Sequence, residues 1–315
     1  MHGLAQEGAG KRALITGLAG FTGCYMAQEM VAAGYRVFGT VTPGGTLARP
    51  PAGIAEADIF AVDLCDSAVV SNMIEQVQPD VVLHLAGIAF VAHANVDLIY
   101  HVNVLGSRNL LASLAASPHR PAAVLLASSA NIYGNAEVAV IDESVAPAPA
   151  TDYAVSKLTM EYMARLWMDS LPIVLARPFN YTGVGQADQF LLPKIVSHFR
   201  RGAREIELGN LEVARDFSDV RSVVRSYRAL VAAAPVASWS NPAFNVCSGQ
   251  STSLHSVIAM MEEIAGYKIA VKVNPAFVRS NDVLTLTGSR AKLDQAIGAV
   301  EQVALADTLR WMYSA

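Results

Sequence analysis

Residues 13–23 read Ala-Leu-Ile-Thr-Gly-Leu-Ala-Gly-Phe-Thr-Gly, an apolar strand that runs into a G-x-x-G-x-x-G pattern at Gly17, Gly20 and Gly23. A helical stretch to about Ala33 follows. Glycines at these positions let the backbone turn tightly and approach a pyrophosphate, and the start of the helix offers N–H groups to that anion. Because the pattern lies between the first strand and the first helix of a βαβ unit, it predicts a dinucleotide-binding turn.

The segments on either side of this turn alternate between short apolar runs and longer amphipathic runs. The predicted strands are Arg12–Thr16, Arg36–Val41, Ile59–Val62, Val81–Leu85, Ala123–Ala127 and Ile173–Ala176, and the predicted helices between them include Ser67–Val77, Tyr100–Ala116 and Tyr153–Ser170. Strands that are apolar on both faces and alternate with helices are typical of parallel βαβ units. The sequence therefore predicts an α/β protein with a Rossmann-type, doubly wound parallel sheet.

The pattern loosens after Arg177, where short strands, turns and the helices 220–234 and 254–265 are expected. We expect a smaller C-terminal substrate domain there, interleaved with returning pieces of the sheet. The predicted boundaries are a disordered leader at 1–10, a dinucleotide-binding domain at 11–178 with returning segments at about 219–250, and a substrate domain at 179–218 and 251–315.

Composition excludes several classes of protein. The 315 residues carry 23 basic and 27 acidic side chains, a net charge of −4, without the basic stripe of a nucleic-acid-binding protein. Hydrophobic residues make up 53%, yet the apolar runs are strand-sized, which argues against a membrane protein. Cys24, Cys65 and Cys247 form neither a disulfide framework nor a metal-ligand spacing, so we expect no metal and a reducing, cytoplasmic setting.

A second motif, Tyr153-Ala-Val-Ser-Lys157, opens a predicted helix. Residues four apart share one helix face, and an ammonium beside a phenol lowers the phenol pKa, so that Tyr153 can exchange a proton near neutral pH. The segment from Ser128 to Gly134 leaves the end of the fifth strand, and a hydroxyl there could bond the reacting oxygen. Together with the glycine turn, this constellation predicts an oxidoreductase site.

These three features resemble the extended short-chain dehydrogenase/reductase superfamily over nearly the whole chain. The resemblance implies that Tyr153 donates or accepts the proton, that Lys157 holds the nicotinamide ribose, and that Ser129 orients the substrate oxygen. It also implies a set of cofactor-binding residues, namely Gly17, Gly20, Phe21, Thr22, Gly23, Thr40, Asp63, Leu64, Leu85, Ala86, Gly87, Asn103, Ser128 and Lys157.

The cofactor preference is read from the end of the second strand. Residues 38–42 are Phe-Gly-Thr-Val-Thr and contain no carboxylate of the kind that hydrogen-bonds the adenosine ribose of NAD. The absence of that negative charge permits a 2′-phosphate, although Arg49 lies only in the loop beyond. NADP(H) is therefore favoured and NAD(H) is permitted.

Four later segments, 177–186, 209–220, 245–249 and 279–283, are similar to those of GDP-4-dehydro-6-deoxy-D-mannose reductases, the GDP-D-rhamnose synthases. The resemblance implies reduction of the C4 ketone of a nucleotide 4-keto-6-deoxyhexose, a GDP-sugar above all, in a pathway such as lipopolysaccharide biosynthesis. It implies that Asn180, Lys194, Arg215 and Arg279 bind this substrate. Tyr181, and the run Arg279-Ser280-Asn281-Asp282, depart from the reductase pattern.

Related reactions remain as alternatives. Dehydratases of this superfamily carry an acid and a base after the catalytic hydroxyl, where this chain has Ala130 and Asn131, so dehydration is disfavoured. A nucleotide-sugar 4-epimerase with bound NAD, a reductase that gives the talose epimer, and a non-catalytic dinucleotide sensor stay open. The resemblance also implies a homodimer built on the helices 100–116 and 153–170, with Leu105, Leu111, Leu158, Met163 and Leu166 as its apolar residues.

Overall fold

The structure is a computed structural model that describes residues 6–45, 51–89, 95–275 and 285–315. The chain divides into two compact units. Unit 1 comprises residues 1–134, 149–177 and 224–244, and unit 2 comprises residues 135–148, 178–223 and 245–315. Among the described residues, no helix is long and apolar enough to cross a membrane.

Seven strands form the main sheet: β1 (Arg12–Thr16), β2 (Arg36–Val41), β3 (Ile59–Ala61), β4 (Val81–His84), β5 (Ala123–Ala127), β6 (Ile173–Pro178) and β10 (Ala243–Val246). Their order is β10-β6-β5-β4-β1-β2-β3, with parallel pairing from β3 through β6. Every residue of β4 is buried, as is typical of a parallel strand covered on both faces. The predicted Rossmann-type fold is confirmed.

Helices follow the strands of unit 1. They are α1 (Phe21–Ala32), α2 (Ser67–Val77), α3 (Val96–Tyr100), α4 (Ser107–Ala116) and α5 (Asp152–Ala164), while α7 (Val220–Ala233) begins in unit 2. The carboxylate of Asp66 accepts from the N–H groups of Ala68 and Val69, which fixes the start of α2. The apolar side chains of α2 and α4 pack against β1, β4 and β5 in one hydrophobic core.

Two predicted helices differ from the observed ones. The expected helix at 100–116 is α3, then a π-helical turn at His101–Gly106, then α4. The expected helix at 153–170 becomes α5, followed by a 3₁₀ turn at Arg165–Trp167. A π turn inserts one extra residue into a helical turn, and such turns are frequent at functional sites.

The predicted leader at 1–10 falls partly within the described residues. Residues 6–10 contact the rest of unit 1: the N–H of Gly8 donates to the carbonyl of Ala33 at 3.0 Å, and the carboxylate of Glu7 accepts from the Arg228 guanidinium at 2.9 Å. A hydrogen bond and an ion pair therefore connect residues 6–10 to the rest of unit 1. Residues 1–5 lie outside the described part.

Unit 2 contains shorter elements. Its strands are β7 (Asn180–Thr182), β8 (Glu205–Leu208), β9 (Ala214–Asp219), β11 (Ser251–Ser253), β12 (Ala270–Val273) and β13 (Thr285–Leu286), and its helices are α6 (Leu191–Arg200), α8 (Leu254–Ala265), α9 (Ala291–Ile297) and α10 (Leu305–Ser314). Strand β9 pairs with β7, β11 and β13, and β8 pairs with β12. The core of this unit is formed chiefly by the apolar faces of α6, α8 and α10.

Candidate active site

The glycine turn after β1 brings three backbone segments close together. Gly17 has φ of +74°, and a Cβ there would lie 2.9 Å from the N and Cα atoms of Ala86. A Cβ on Gly23 would lie 2.2 Å from the carbonyl oxygen of Gly17. Any side chain at these positions would therefore fill the turn. Gly20 is the N-cap of helix α1 and makes no side-chain cap hydrogen bond, so the turn has the shape and dipole that a pyrophosphate needs.

The turn is tied to β2 and β4. The N–H of Gly17 donates to the Thr40 hydroxyl at 3.3 Å, and the N–H of Leu18 donates to the Thr40 carbonyl at 2.9 Å. The N–H of Ala86 donates to the Thr16 hydroxyl at 3.2 Å. The carboxyl ends of β1, β2 and β4 thus lie together, as expected for the cofactor edge of a doubly wound sheet.

The predicted cofactor-binding residues Asp63 and Leu64 follow β3. Asp63 is exposed and its carboxylate accepts from the N–H of Cys65 at 2.9 Å, whereas Leu64 is buried. The amide of Asn109 donates to the carbonyls of both Leu64 and Cys65. These bonds fix the segment against α4 and leave the Asp63 side chain at the surface.

His84 is buried at the end of β4, and both of its ring nitrogens form hydrogen bonds. The Ser107 hydroxyl donates to the carbonyl of Asn103, so its oxygen accepts from Nε2 of His84 at 2.7 Å. Nδ1 of His84 then accepts from the Thr16 hydroxyl at 2.7 Å. Burial and the nearby Lys157 ammonium lower the pKa of His84 to about 3, so the ring is neutral and holds one tautomer.

Asn103 lies on the π-helical turn and is 1% exposed. Its Oδ1 accepts from the N–H of Ile88 at 2.8 Å, and its Nδ2 donates to the carbonyl of Ile88 and to the hydroxyl of Ser156. Ser156 in turn donates to the carbonyl of Tyr153 at 2.8 Å. One amide therefore joins the segment after β4 to the first turn of α5.

Helix α5 carries the Tyr153 and Lys157 pair. The Thr151 hydroxyl accepts from the N–H of Ala154 and fixes the first turn, which places Tyr153 near the helix start. Lys157 is buried, and its Nζ donates to the carbonyl of Ala127 at 2.7 Å. Burial lowers the pKa of Lys157 to about 8, against the opposing effect of the Glu161 carboxylate.

Gly87 closes this part of the site. A Cβ on Gly87 would lie 3.1 Å from both Oδ1 of Asn103 and Nζ of Lys157. The loop after β4 therefore passes directly over the lysine. Unit 1 brings the predicted residues Gly87, Asn103 and Lys157 into one cluster.

The two serines after β5 have different surroundings. Ser129 is buried, and its Oγ accepts from the N–H of Asn131 at 3.1 Å, which caps the 3₁₀ turn Ala130–Tyr133. Ser128 is 3% exposed, and its Oγ has no hydrogen-bond partner among the described residues. A buried hydroxyl without a protein partner fits a site whose remaining partner is a bound molecule. Ala130 is buried and Asn131 is exposed, and neither can exchange a proton.

The candidate substrate residues fall in unit 2. Asn180 on β7 donates from Nδ2 to the carbonyl of Asp216 at 3.3 Å, next to Arg215 on β9. Lys194 on α6 donates to the carbonyl of Glu207 at 2.8 Å. The structure thus brings Asn180 close to the backbone of Arg215. Arg279 lies outside the described residues, as does Arg49.

Asp216, on the same strand as Arg215, was not singled out by the sequence. Its buried carboxylate accepts from the N–H groups of Ser248 and Gly249, from the Ser248 hydroxyl, and from the N–H of Gly288. Burial raises the pKa of Asp216, while these donors oppose the rise. The signal in the sequence is a carboxylate within the strand segment Ala-Arg-Asp-Phe-Ser-Asp, whose last four residues are buried.

Among the described residues, no group of three His, Cys, Asp or Glu side chains could hold a metal ion.

Residues 14–312 match the family described as GDP-mannose 4,6 dehydratase. A GDP-6-deoxy-D-mannose reductase from Pseudomonas aeruginosa is 30% identical over 96% of both chains. A GDP-6-deoxy-D-talose 4-dehydrogenase from Aggregatibacter actinomycetemcomitans is 34% identical over 75% of this chain and 79% of its own length.

Two solved structures are similar over almost the whole chain. A Burkholderia cenocepacia protein that carries a provisional epimerase name is 53% identical, with a TM-score of 0.90 and 98% of each chain covered. The structure of RMD from Pseudomonas aeruginosa, complexed with NADPH, is 29% identical, with a TM-score of 0.80 and 96% of each chain covered.

Proposed function

Because the chain belongs to the GDP-mannose 4,6-dehydratase family, we propose that it is an NAD(P)H-dependent reductase of a nucleotide 4-keto-6-deoxyhexose. The observation that carries the proposal is the site itself: Ser129, Tyr153 and Lys157 are present, while Ala130 and Asn131 stand where a dehydratase needs its acid and base. A reductase requires one proton donor, and Tyr153 supplies it. The reductase from Pseudomonas aeruginosa, similar over its full length, supports the same reaction.

We assign one role to each catalytic residue. When bound, the nicotinamide cofactor supplies the hydride that adds to sugar C4. The Ser129 hydroxyl donates a hydrogen bond to the C4 ketone oxygen, and the Tyr153 hydroxyl transfers its proton to that oxygen as the C–O double bond becomes a C–O single bond. The Lys157 ammonium lowers the pKa of the phenol and bonds the nicotinamide ribose. A new C–H and a new O–H bond result.

The glycine turn and the polar residues around it hold the cofactor in this proposal. Gly17, Gly20, Phe21, Thr22 and Gly23 bind the pyrophosphate. The remaining cofactor contacts come from Thr40, Asp63, Leu64, Leu85, Ala86, Gly87, Asn103 and Ser128. NADP(H) is favoured because β2 ends at Val41 without a carboxylate, and the relative crystallised with NADPH supports this choice.

Asn180, Lys194, Arg215 and Arg279 bind the nucleotide diphosphate in this proposal, since guanidinium and ammonium groups pair with phosphate oxygens. The preferred substrate is GDP-4-keto-6-deoxy-D-mannose and the product GDP-D-rhamnose. In this proposal, the cofactor is bound by residues 11–178 and about 219–250. The sugar nucleotide is bound by residues 179–218 and 251–315.

The first experiment supplies the purified protein with NADPH and each of several nucleotide 4-keto-6-deoxyhexoses, and follows the near-ultraviolet absorbance of NADPH. We expect oxidation with the GDP-sugar, and none in the Tyr153→Phe variant, which should still bind NADPH. Unchanged turnover in that variant, or turnover only with a dTDP- or UDP-sugar, would contradict the proposal. A thermal-shift series with GDP, UDP, dTDP and CDP tests the base independently, because the preferred ligand stabilises the fold by mass action.

Two further candidates rest on specific relatives. The talose 4-dehydrogenase favours a product with the opposite configuration at C4, which NMR of the sugar product distinguishes. The provisional epimerase name of the 53% identical protein favours an epimerase that retains NAD through its cycle. Release of one equivalent of NAD from the purified, denatured protein would favour the epimerase. A purified protein without NAD that consumes added NADPH favours the reductase.

The assembly proposed here is a homodimer. Four large apolar side chains on α3, the π turn and the α5 region are exposed in unit 1: Leu98 at 46%, Leu105 at 45%, Tyr162 at 52% and Leu166 at 78%. Of the five apolar residues singled out by the sequence, Leu105 and Leu166 are exposed, while Leu111 is fully buried in the core. We propose that a second copy of the chain packs against these exposed residues.

The cellular setting is part of the same proposal. Cys24, Cys65 and Cys247 are free thiols, which suits a reducing cytoplasm. A GDP-6-deoxyhexose made there would serve the synthesis of a surface polysaccharide such as lipopolysaccharide.

A further inference from the structure

Three polar side chains lie buried together in unit 1. Arg177 donates from Nε and Nη2 to the two carboxylate oxygens of Glu161, at 2.9 and 2.6 Å, and from Nη1 to the hydroxyl of Tyr133 at 2.8 Å. Their exposed fractions are 6% for Arg177, 1% for Glu161 and 0% for Tyr133. The guanidinium also lies 5.3 Å from the centre of the Tyr133 ring. We call these three residues the buried triad.

Each member of the buried triad comes from a different part of the proposed site. Glu161 is on α5, one helical turn after Lys157. Tyr133 ends the 3₁₀ turn that Ser129 caps, and Arg177 lies near the end of β6. Two bonds to α5 and one to the serine turn make Arg177 the link between the elements that carry Ser129 and Lys157.

Building on the proposed reductase, we propose that Glu161 and Arg177 are positioning residues for the reaction: they hold the helix of Tyr153 and Lys157 against the serine turn, and they set the charge that Lys157 experiences. A buried ion pair adds little stability over apolar residues of the same size. We therefore attribute the ion pair to its effect on Lys157 rather than to the stability of the fold.

The charged and titratable groups around Lys157 support this role. His84 faces it from β4 but stays neutral, because its pKa is about 3. The neutral carbonyl of Ala127 on β5 accepts its hydrogen bond. Gly87 lies between the ammonium and the Asn103 amide, because a Cβ there would be 3.1 Å from each. On α5, Tyr153 lies one turn before Lys157, and the Glu161 carboxylate one turn after it raises the pKa that burial lowers. Arg177 neutralises that carboxylate in part.

The two members of the ion pair should consequently act in opposite directions. Glu161→Gln leaves a buried Arg177 cation without its counter-charge, so the pKa of Lys157 falls. Arg177→Met leaves the Glu161 anion without its partner, so the pKa of Lys157 rises. The double variant Glu161→Gln/Arg177→Met removes both charges and should return the pKa close to the wild-type value. We expect each single change to shift it by about one pH unit.

The test follows Lys157 directly by NMR in protein labelled with ¹³C-lysine. The chain has six lysines, at positions 11, 157, 194, 268, 272 and 292, and Lys157→Met identifies the signal of interest. Turnover against pH is measured on the same variants. Tyr133→Phe changes no charge, so it should lower kcat through the serine turn and leave the titration of Lys157 unchanged.

Glu29→Gln is the matched control, because Glu29 forms a partly buried pair with Arg228 elsewhere in unit 1. It should move neither the Lys157 signal nor the pH profile. If a single variant does not fold, the other single variant carries the sign of the effect.

Equal titration of Lys157 in wild type, both single variants and the double variant would overturn the inference, even with lowered stability. The NMR titration needs no substrate. A wild-type protein that reduces no nucleotide sugar, yet shows these shifts, would therefore contradict the proposed function and leave the charge coupling standing.

Discussion

The Nζ of Lys157 donates a 2.7 Å hydrogen bond to the main-chain carbonyl of Ala127, the last residue of β5. This bond joins the helix that carries Tyr153 to the strand that leads into Ser129. The ammonium is thereby held in a buried place, where water screens its charge only weakly.

Lys157→Met tests this arrangement. Without the ammonium, the phenol of Tyr153 returns to a higher pKa and transfers its proton less readily. We expect kcat for reduction of the 4-keto sugar to fall by about 100-fold or more. The measurement is steady-state turnover together with NADPH affinity by fluorescence, which should weaken because the ribose contact is lost. Lys268→Met, a change at an exposed lysine, is the control and should behave as wild type. Similar kcat values in the two variants would contradict the role of Lys157.

Gly23→Ala tests the glycine turn. The added methyl group would lie 2.2 Å from the carbonyl oxygen of Gly17, so the turn must open. We expect NADPH affinity to fall by about 100-fold or more and the melting temperature to drop, both measured on the same sample. Gly20→Ala is the graded comparison, because its Cβ would lie 3.1 Å from that oxygen. Equal affinities for wild type and Gly23→Ala would show that the turn does not bind the pyrophosphate.

Local patterns account for the parts of the fold that the sequence predicted correctly. The bounds of α2 follow from Asp66, which caps the helix, and from apolar residues at helical spacing. The glycine turn is likewise marked by a local pattern, with Gly17, Gly20 and Gly23 at intervals of three residues. Such signals need no knowledge of the rest of the chain.

The π turn could not be predicted in this way. Its residue Asn103 bonds Ile88 and Ser156, which are 15 and 53 positions away. The ion pair of Glu161 and Arg177, and the donors that meet at Asp216 from 248 and 288, depend equally on distant segments. Sequence patterns identify the chemical groups, whereas the folded chain decides which of them lie close enough to form ion pairs and hydrogen bonds.

The two serines should separate into different kinetic roles. Ser129→Ala removes the hydroxyl proposed to bond the ketone oxygen, so kcat should fall by about 100-fold. Ser128→Ala removes a buried hydroxyl that has no partner among the described residues, so it should weaken cofactor or substrate binding by about tenfold with a smaller change in kcat. KM and kcat for both ligands distinguish these outcomes. If Ser128→Ala lowered kcat more than Ser129→Ala did, the roles proposed for the two serines would have to be exchanged.

His84 should make the fold sensitive to acid. The unfolded chain binds a proton at His84 near pH 6.5, whereas the folded chain does so only at about pH 3. The unfolded state therefore holds more protons between these values, and stability falls as the pH decreases through this window, by up to about 1.4 kcal/mol per pH unit.

His84→Gln keeps a donor and an acceptor but cannot take up the proton. Its free energy of unfolding, measured with urea from pH 7 to pH 4, should decline less steeply than that of wild type. His255→Gln, at an exposed position, should keep the wild-type slope. Identical slopes for His84→Gln and wild type would show that His84 does not carry the acid sensitivity.

The exposed apolar residues on the π turn and after α5 should decide the assembly state. Leu105→Glu and Leu166→Glu place a charge where a second copy is proposed to cover side chains that are 45% and 78% exposed. Burial of an unpaired carboxylate is costly, so each variant should shift the protein toward monomer in light scattering while its melting curve stays cooperative. Val236→Glu, at an 89% exposed position outside these helices, should leave the mass unchanged. A wild-type protein that is monomeric at all concentrations would contradict the homodimer. Dimers that persist in both leucine variants would place the contact at other residues.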